Sequence, residues 1–249
     1  LGHRVADAAD ITPQDVVFEI GPGLGNLTEL ITLSAKKVFA VEFDEQLADE
    51  LPNRVAADNL EAISADIMKF DLRVLPAGYK VVANIPYYLT SNLLRLLCES
   101  PNPPVQMSLL VQKEVAERVA AEPGDMSILA VSVQFYYQAE LGNVVTADMF
   151  VPPPKVDSQI LKLVRHPQPL FPDVDVPNFF RVVKAGFSNR RKTLLNSLSG
   201  GLAMDKTEVK GAIESAGLNP EARAQTLSLE DWHSLYLVVV AHQKPANVS

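Results

Sequence analysis

The sequence predicts an α/β fold: a doubly wound, Rossmann-like sheet of parallel strands, followed by a small all-α domain. Three observations predict it. Short, near-continuous apolar runs alternate with helical periodicity through the first two-thirds of the chain, as strands buried on both faces do. The first of these runs opens into a glycine-rich turn, Gly21-Pro22-Gly23-Leu24-Gly25. Beyond residue 177 only the helical period remains.

Residues 16–20 read as an apolar strand leading into that turn, and 26–33 as a helix with Leu27, Leu30 and Ile31 on one side. Residues 38–42 form a second buried strand and 44–51 a helix. A third short strand, 61–64, leads to Ala65-Asp66, and a fourth, 80–83, delivers Asn84. A helix over 91–97, a strand over 106–111 and a helix over 112–121 follow, the last carrying Glu114, Glu117 and Arg118. Residues 128–137 and 156–164 read as later strands. Between them lies Phe150-Val151-Pro152-Pro153-Pro154, whose prolines forbid helix and keep the connector extended. Residues 166–177 hold four prolines with little periodicity and read as an interdomain linker. Helices are predicted over 178–189, 190–198, 205–216 and 228–241, with Asp205 and Ser228 as N-caps and Glu208 and Asp231 three positions on. The organisation is therefore a ligand-binding domain over residues 1–165, a linker over 166–177 and a helical domain over 178–249.

A chain of 249 residues with 47% hydrophobic content suits one large domain plus a small one. No apolar stretch approaches the roughly 20 residues needed to cross a bilayer. The single cysteine, Cys98, excludes an internal disulfide and a cysteine-based zinc site, and fits a reducing, cytoplasmic setting. His3, His166, His233 and His242 are scattered without ligand spacing, so no metal is expected. The sequence opens at Leu1 without methionine, signal or transit segment, and native residues are expected to precede it.

The net charge of −8 argues against a polyanionic partner, but its distribution does not. Residues 1–149 carry 10 Lys and Arg against 21 Asp and Glu, whereas residues 150–199 carry 8 against 3. Positive charge gathered in one stretch suits either a solvated basic helix or a polyanionic partner, which it does not name.

The glycine turn sits between a strand and a helix, where backbone amides can approach a nucleotide or nucleoside. A dinucleotide fingerprint wants glycine at the sixth position, and Asn26 stands there, which weakens a nicotinamide reading. Glu42 closes the second strand 21 residues beyond Gly21, the usual place for a carboxylate accepting from ribose hydroxyls. Asp66, after the third strand, is placed to accept from an adenine amine, or simply to cap a helix. Asn84-Ile85-Pro86-Tyr87 leaves the fourth strand. An amide that accepts from an exocyclic amine, a proline that fixes the backbone and a ring that stacks together suit an adenine held for chemistry on N6. An ordinary Asn-Pro turn is the plainer reading of the same residues.

At these residues the chain resembles the S-adenosylmethionine-dependent ribosomal RNA adenine dimethyltransferases of bacterial type. The matching segments run in order along nearly the whole chain. They are Phe18-Glu19-Ile20-Gly21-Pro22-Gly23-Leu24-Gly25, Ala83-Asn84-Ile85-Pro86-Tyr87-Tyr88, Gln112-Lys113-Glu114-Val115-Ala116-Glu117-Arg118, Phe150-Val151-Pro152-Pro153-Pro154-Lys155-Val156-Asp157-Ser158 and Phe187-Ser188-Asn189-Arg190-Arg191-Lys192-Thr193-Leu194. The resemblance implies a class I methyltransferase sheet in the first domain, carrying catalysis and S-adenosylmethionine binding, and an rRNA-binding helical domain. It implies two successive transfers to N6 of each of two adjacent adenosines near the 3′ end of small-subunit 16S rRNA, within an immature ribosomal subunit, by a monomer. Gly21, Gly23, Gly25, Glu42, Asp66 and Asn84 would line the cofactor site. Asn84, Pro86, Tyr87 and Phe150 would serve the target adenine, with Tyr87 and Phe150 stacking on it. Lys184 and the run Arg190-Arg191-Lys192, on a helix start, would meet rRNA phosphates. Two departures stand out: no Gln-Asn-Phe-Leu type segment lies before the first helix, and residues 123–127 are shorter than the family's loop. The alternatives are a resistance-type 23S rRNA adenine methyltransferase and a ribosome-assembly checkpoint factor with secondary catalysis. DNA-adenine or protein-glutamine methylation would more typically show a proline where Ile85 stands.

Overall fold

In the computed structural model, which describes residues 2–150 and 152–243, a short helix α1 (Gly2–Ala8) precedes strand β1 (Val16–Ile20) and helix α2 (Asn26–Thr32). Then follow β2 (Lys37–Glu42), α3 (Glu45–Val55), β3 (Leu60–Ser64), β4 (Lys80–Asn84), α4 (Thr90–Cys98), β5 (Gln106–Gln112), α5 (Lys113–Val119), α6 (Ile128–Gln134), β6 (Tyr137–Val145) and β7 (Ser158–Arg165). Four helices complete the chain: α7 (Val176–Gly186), α8 (Leu194–Leu202), α9 (Lys206–Ser215) and α10 (Leu229–Gln243). No described helix is long and apolar enough to cross a membrane.

The seven strands make one sheet in the order β3-β2-β1-β4-β5-β7-β6. The first five are parallel, and β7 and then β6 add antiparallel at one side. The order reverses at β1, so β1 and β4 lie side by side with a crevice outside their carboxyl ends. Both faces of the inner strands are buried. On one, Val5 and Ala9 join Ile31 and Ala35 over Val17, Val38, Val82 and Leu110. On the other, Phe18 stacks on Phe70 at 5.4 Å and meets Tyr79 edge-on at 6.1 Å.

The chain divides into two compact units, one comprising the residues up to Ala120 with Tyr136–Pro167, the other Ala121–Phe135 with the residues from Gln168 onward. The segment Ala121–Phe135 thus groups with the C-terminal helices, although the sequence division puts it in the first domain. In that second unit α7 buries Phe179, Val182, Val183 and Gly186, one stripe at helical spacing. Gly186 is required there because a Cβ would come within 2.4 Å of the buried Trp232 ring. Reciprocal side-chain bonds between Ser228 and Asp231, and the capping box of Asp205 and Glu208, start α10 and α9 as their spacing predicts.

Three elements depart from the sequence reading. Residues 128–134 are helical, not a strand, because Ser127 caps them by accepting from the Ala130 amide and because Ala130, Val131 and Val133 find buried partners. Cap and packing override the β-propensity of valine and isoleucine here. The strand begins only at Tyr137. The basic run 190–192 is not on a helix start but in a turn, since Thr193 is the N-cap of α8. Helix α1 has no counterpart in the sequence reading. It is held by groups far away in sequence: the Ser108 hydroxyl donates to the Val5 carbonyl at 2.8 Å, and Gln106 Nε2 to that of Ala9 at 2.9 Å. Val151, within the proline connector, lies outside the described residues, as do the side chains of His3 and His242.

Candidate active site

Parallel strands bring the strand exits to one edge, and backbone bonds tie each exit to its neighbour. The Gly21 amide donates to the Val41 carbonyl at 2.9 Å, the Ala65 amide to that of Glu42 at 2.9 Å, and the Ile85 amide to that of Leu110 at 3.1 Å. The residues that leave β1, β2, β3 and β4 therefore form a single row. Antiparallel β7 adds its first residue to the same edge, with Ser158 opposite Gln112.

Gly21, Gly23 and Gly25 adopt φ of 68°, 55° and 89°, in the left-handed region that strains any side chain. Added Cβ atoms at Gly21 and Gly23 would meet nothing within 4 Å, so this turn faces open space. At Gly25 a Cβ would lie 2.9 Å from Leu51 and Val55, so that glycine also lets α3 pack under the turn. Glu42 is locked to the turn: one oxygen accepts from the Gly23 amide at 3.0 Å and the other from the Asp44 amide at 3.1 Å. A carboxylate has about four acceptor sites, so two remain for ligand hydroxyls. Beside it Phe43 holds its ring 78% exposed.

Glu19, quoted in the first motif but given no role by the sequence reading, lies 1% exposed beneath the turn. Neither of its oxygens, nor the Thr28 hydroxyl, finds a hydrogen-bond partner among the described residues. Burial pushes its carboxyl group up from 4.5 to about 7, and the charge of Glu42 acts the same way. Thr28 pulls in the opposite direction without reaching hydrogen-bond geometry. Unpaired buried polar atoms of this kind mark a place where a polar ligand group or ordered water belongs. An apolar strand interior interrupted by one acid, two residues before the glycines, is the signal that could have singled Glu19 out.

A raised carboxyl pKa favours the protonated folded state, so its stabilisation is complete below the unfolded value of 4.5 and is lost as pH rises through about 7. Without ligand, the stability advantage of Glu19→Gln over the native chain is expected to grow by about 2–3 kcal/mol between pH 5 and pH 8. Urea denaturation at the two pH values checks this, and parallel pH profiles for the two proteins would refute burial as the cause.

Asp66 follows β3 and is half-buried. Its Oδ1 accepts from the Met68 amide at 2.9 Å and its Oδ2 lies 3.7 Å from Lys69 Nζ. It caps a short turn, and its carboxylate retains acceptor capacity for a ligand amine at the same edge.

Asn84 is the last residue of β4. It is exposed, and its side-chain amide makes no hydrogen bond to a described residue. Pro86 opens a 3-10 turn over Tyr87–Leu89, and its carbonyl accepts from the Leu89 amide at 2.9 Å with one lone pair left over. Tyr87 is half-buried, its hydroxyl 3.1 Å from Ser158 Oγ, which fixes the ring against the start of β7. Phe150 closes the turn Ala147–Met149, which Asp157 ties down by accepting from the Ala147 amide at 2.9 Å. Its half-buried ring packs partly on the core cluster around Val145 and Ile160.

In the second unit, Lys184 lies exposed in the last turn of α7. Arg190, Arg191 and Lys192 are exposed on a turn held by Asn189, whose Oδ1 accepts from the Arg191 amide at 3.2 Å and whose carbonyl accepts from that of Lys192 at 3.0 Å. None of the four basic residues forms an ion pair with a described residue. His233 lies 2.9 Å from Asp173 and stacks on Phe171 at 4.3 Å.

A family model described as ribosomal RNA adenine dimethylase matches residues 2–240. A curated relative, ribosomal RNA small subunit methyltransferase A of Dehalococcoides mccartyi, is 42% identical over 239 residues, covering 94% of this chain and 82% of the relative. Proteins of the same name from Bacillus cytotoxicus and Streptococcus pneumoniae are 37% and 40% identical, covering 97% and 94% of this chain and 87% and 85% of theirs. Among solved structures, a dimethyladenosine transferase from Plasmodium falciparum superposes with a TM-score of 0.81 at 28% identity, covering 96% of this chain and 95% of that one. The 23S rRNA methyltransferase ErmE does so at 0.79 and 27%, covering 96% of each chain.

Proposed function

The chain belongs to the ribosomal RNA adenine dimethylase family, and we propose that it acts on two adjacent adenosines near the 3′ end of 16S rRNA within an immature small subunit, as a cytoplasmic monomer. It is an S-adenosylmethionine-dependent enzyme that converts adenosine to N6,N6-dimethyladenosine. The small-subunit substrate rests on its 37–43% identity to small subunit methyltransferases A, against 27% to the 23S enzyme ErmE.

The observation that carries the reading is the row of strand exits: an open glycine turn, the locked carboxylate of Glu42, the cap Asp66 and the uncommitted amide of Asn84. The row fits a nucleoside cofactor. The left-handed glycines leave room for close approach, Glu42 offers acceptor sites to ribose hydroxyls, Asp66 one to an adenine amine, and the unpaired Glu19 and Thr28 lie beneath.

S-adenosylmethionine, when bound, supplies an already activated methyl group. The chain has little acid–base work to do and must instead orient a weak nucleophile, because the N6 lone pair is delocalised into the purine ring. In the first transfer Asn84 Oδ1 and the spare lone pair of the Pro86 carbonyl would accept the two amine hydrogens, and in the second the one that remains, each new N–C bond being matched by loss of one N–H proton to solvent. That favours a more tetrahedral nitrogen with its lone pair free to attack. Tyr87, with its hydroxyl tied to Ser158, holds a ring against the extruded base, and Phe150 supplies a second. Stacking of about 1–3 kcal/mol per base offsets the few kcal/mol of unstacking. Lys184 and the 190–192 turn take rRNA phosphates.

Incubation with labelled S-adenosylmethionine and unmethylated small subunits, large subunits or DNA, followed by nucleoside analysis, tests the proposal. Dimethyladenosine confined to small subunits is expected. Label in 23S rRNA would favour the resistance-type reading, and label in DNA would overturn both.

A further inference from the structure

Two exposed aromatic rings beside the candidate site, Phe43 next to Glu42 and Tyr88 next to Tyr87, have no role in the proposed reaction. Tyr88 is 86% exposed, the most open of the exposed large hydrophobic side chains among the described residues. The turn is fixed at both ends, since Ile85 and Thr90 are 2% and 1% exposed. Successive side chains of a 3-10 turn point about 120° apart. With the Tyr87 hydroxyl bound to Ser158, the next ring is directed away from that bond and into solvent. The result is a rigid, uncovered platform one residue beyond the ring assigned to the target base.

We propose that Tyr88 is a second stacking platform, which takes the base of the RNA nucleotide next to the adenosine being methylated. The inference rests on the reading of the site as an RNA adenine methyltransferase. Extruding one base from a strand deprives its neighbour of a stacking partner as well. A tyrosine restores that contact with only two side-chain torsions to order, and without regard to sequence because every base has a π-face. Tyr88 would thus hold the strand in the splayed form in which the target reaches Asn84.

The test uses the whole protein and small subunits reconstituted with an abasic nucleotide on one side or the other of the target. On intact subunits Tyr88→Ala is expected to raise KM roughly tenfold, while affinity for S-adenosylmethionine by calorimetry stays unchanged and Tyr88→Phe restores KM. On one abasic substrate the native enzyme should fall to the level of Tyr88→Ala, with no further loss in the variant, since the two changes remove the same interaction. An unaltered KM, rescue by Tyr88→Leu equal to that by Phe, or additive losses on both abasic substrates would each overturn the proposal. A native enzyme that binds S-adenosylmethionine but methylates no RNA would bring down the parent reading, and the role of Tyr88 with it.

Discussion

Asn84→Ala is expected to lower methyl transfer by about a hundred- to a thousandfold or more, in a protein that folds normally. The two halves of this expectation have separate causes. The backbone of Asn84 belongs to the β4 ladder and is unaffected by the side chain, which is exposed and makes no hydrogen bond to a described residue. Its loss orphans no buried group, so stability should change by less than about 0.5 kcal/mol. The amide oxygen is, however, the acceptor that leaves β4 at the crevice beside the glycine turn. Without it the amine keeps its planar, delocalised form and no neighbouring side chain takes over. Asn84→Asp retains an oxygen acceptor and should retain more activity than the alanine variant. Single-turnover transfer from labelled S-adenosylmethionine, set beside a thermal melt, decides the matter. Near-native transfer by Asn84→Ala would remove Asn84 from the mechanism, and a lowered melting temperature would show that its role is structural.

The row of strand exits was legible in the sequence because each member is placed by local rules. A buried parallel strand announces itself by a nearly continuous apolar run, and the residues at or just past its end emerge at the edge. Gly21, Glu42, Asp66 and Asn84 could therefore be named together before any pairing was known. Strand β7 was read nearly in place, at 156–164, but β6 was harder. Val131 and Val133 suit a strand as well as a helix, and the Ser127 cap that decides between them is one side chain in a polar loop. Helix α1 was invisible for another reason. It has only seven residues, and the carbonyls of Val5 within it and Ala9 just after it are held by Ser108 and Gln106, about a hundred positions away. Glu19 was passed over too, although a lone acid in a strand read as buried on both faces is the signal that marks it.

Reversing the charges of Arg190, Arg191 and Lys192 to glutamate is expected to weaken binding to small subunits by roughly a hundredfold or more at low salt. The dependence of log K on log[salt] should become shallower by about two to three units, since each phosphate that is no longer neutralised takes away about 0.7–0.9. The three side chains are exposed and have no ion-pair partner among the described residues, so their charge is available to a polyanion. Their turn is held by Asn189, and the start of α8 by bonds of its own: the Leu194 amide donates to the Ala222 carbonyl at 2.7 Å. Substitution should therefore leave the unit folded. The effect is large because the remainder of the chain works against binding. The net charge is −8 with these three cations included and becomes −14 after reversal, which turns local attraction into repulsion of RNA. Filter binding across a salt series measures both quantities, with Asn84→Ala as the contrasting protein. That variant should bind subunits as the native chain does while failing to methylate them, whereas the reversed turn should fail to bind. Equal salt slopes for native and reversed proteins would mean that the basic turn faces solvent and that the RNA is held elsewhere.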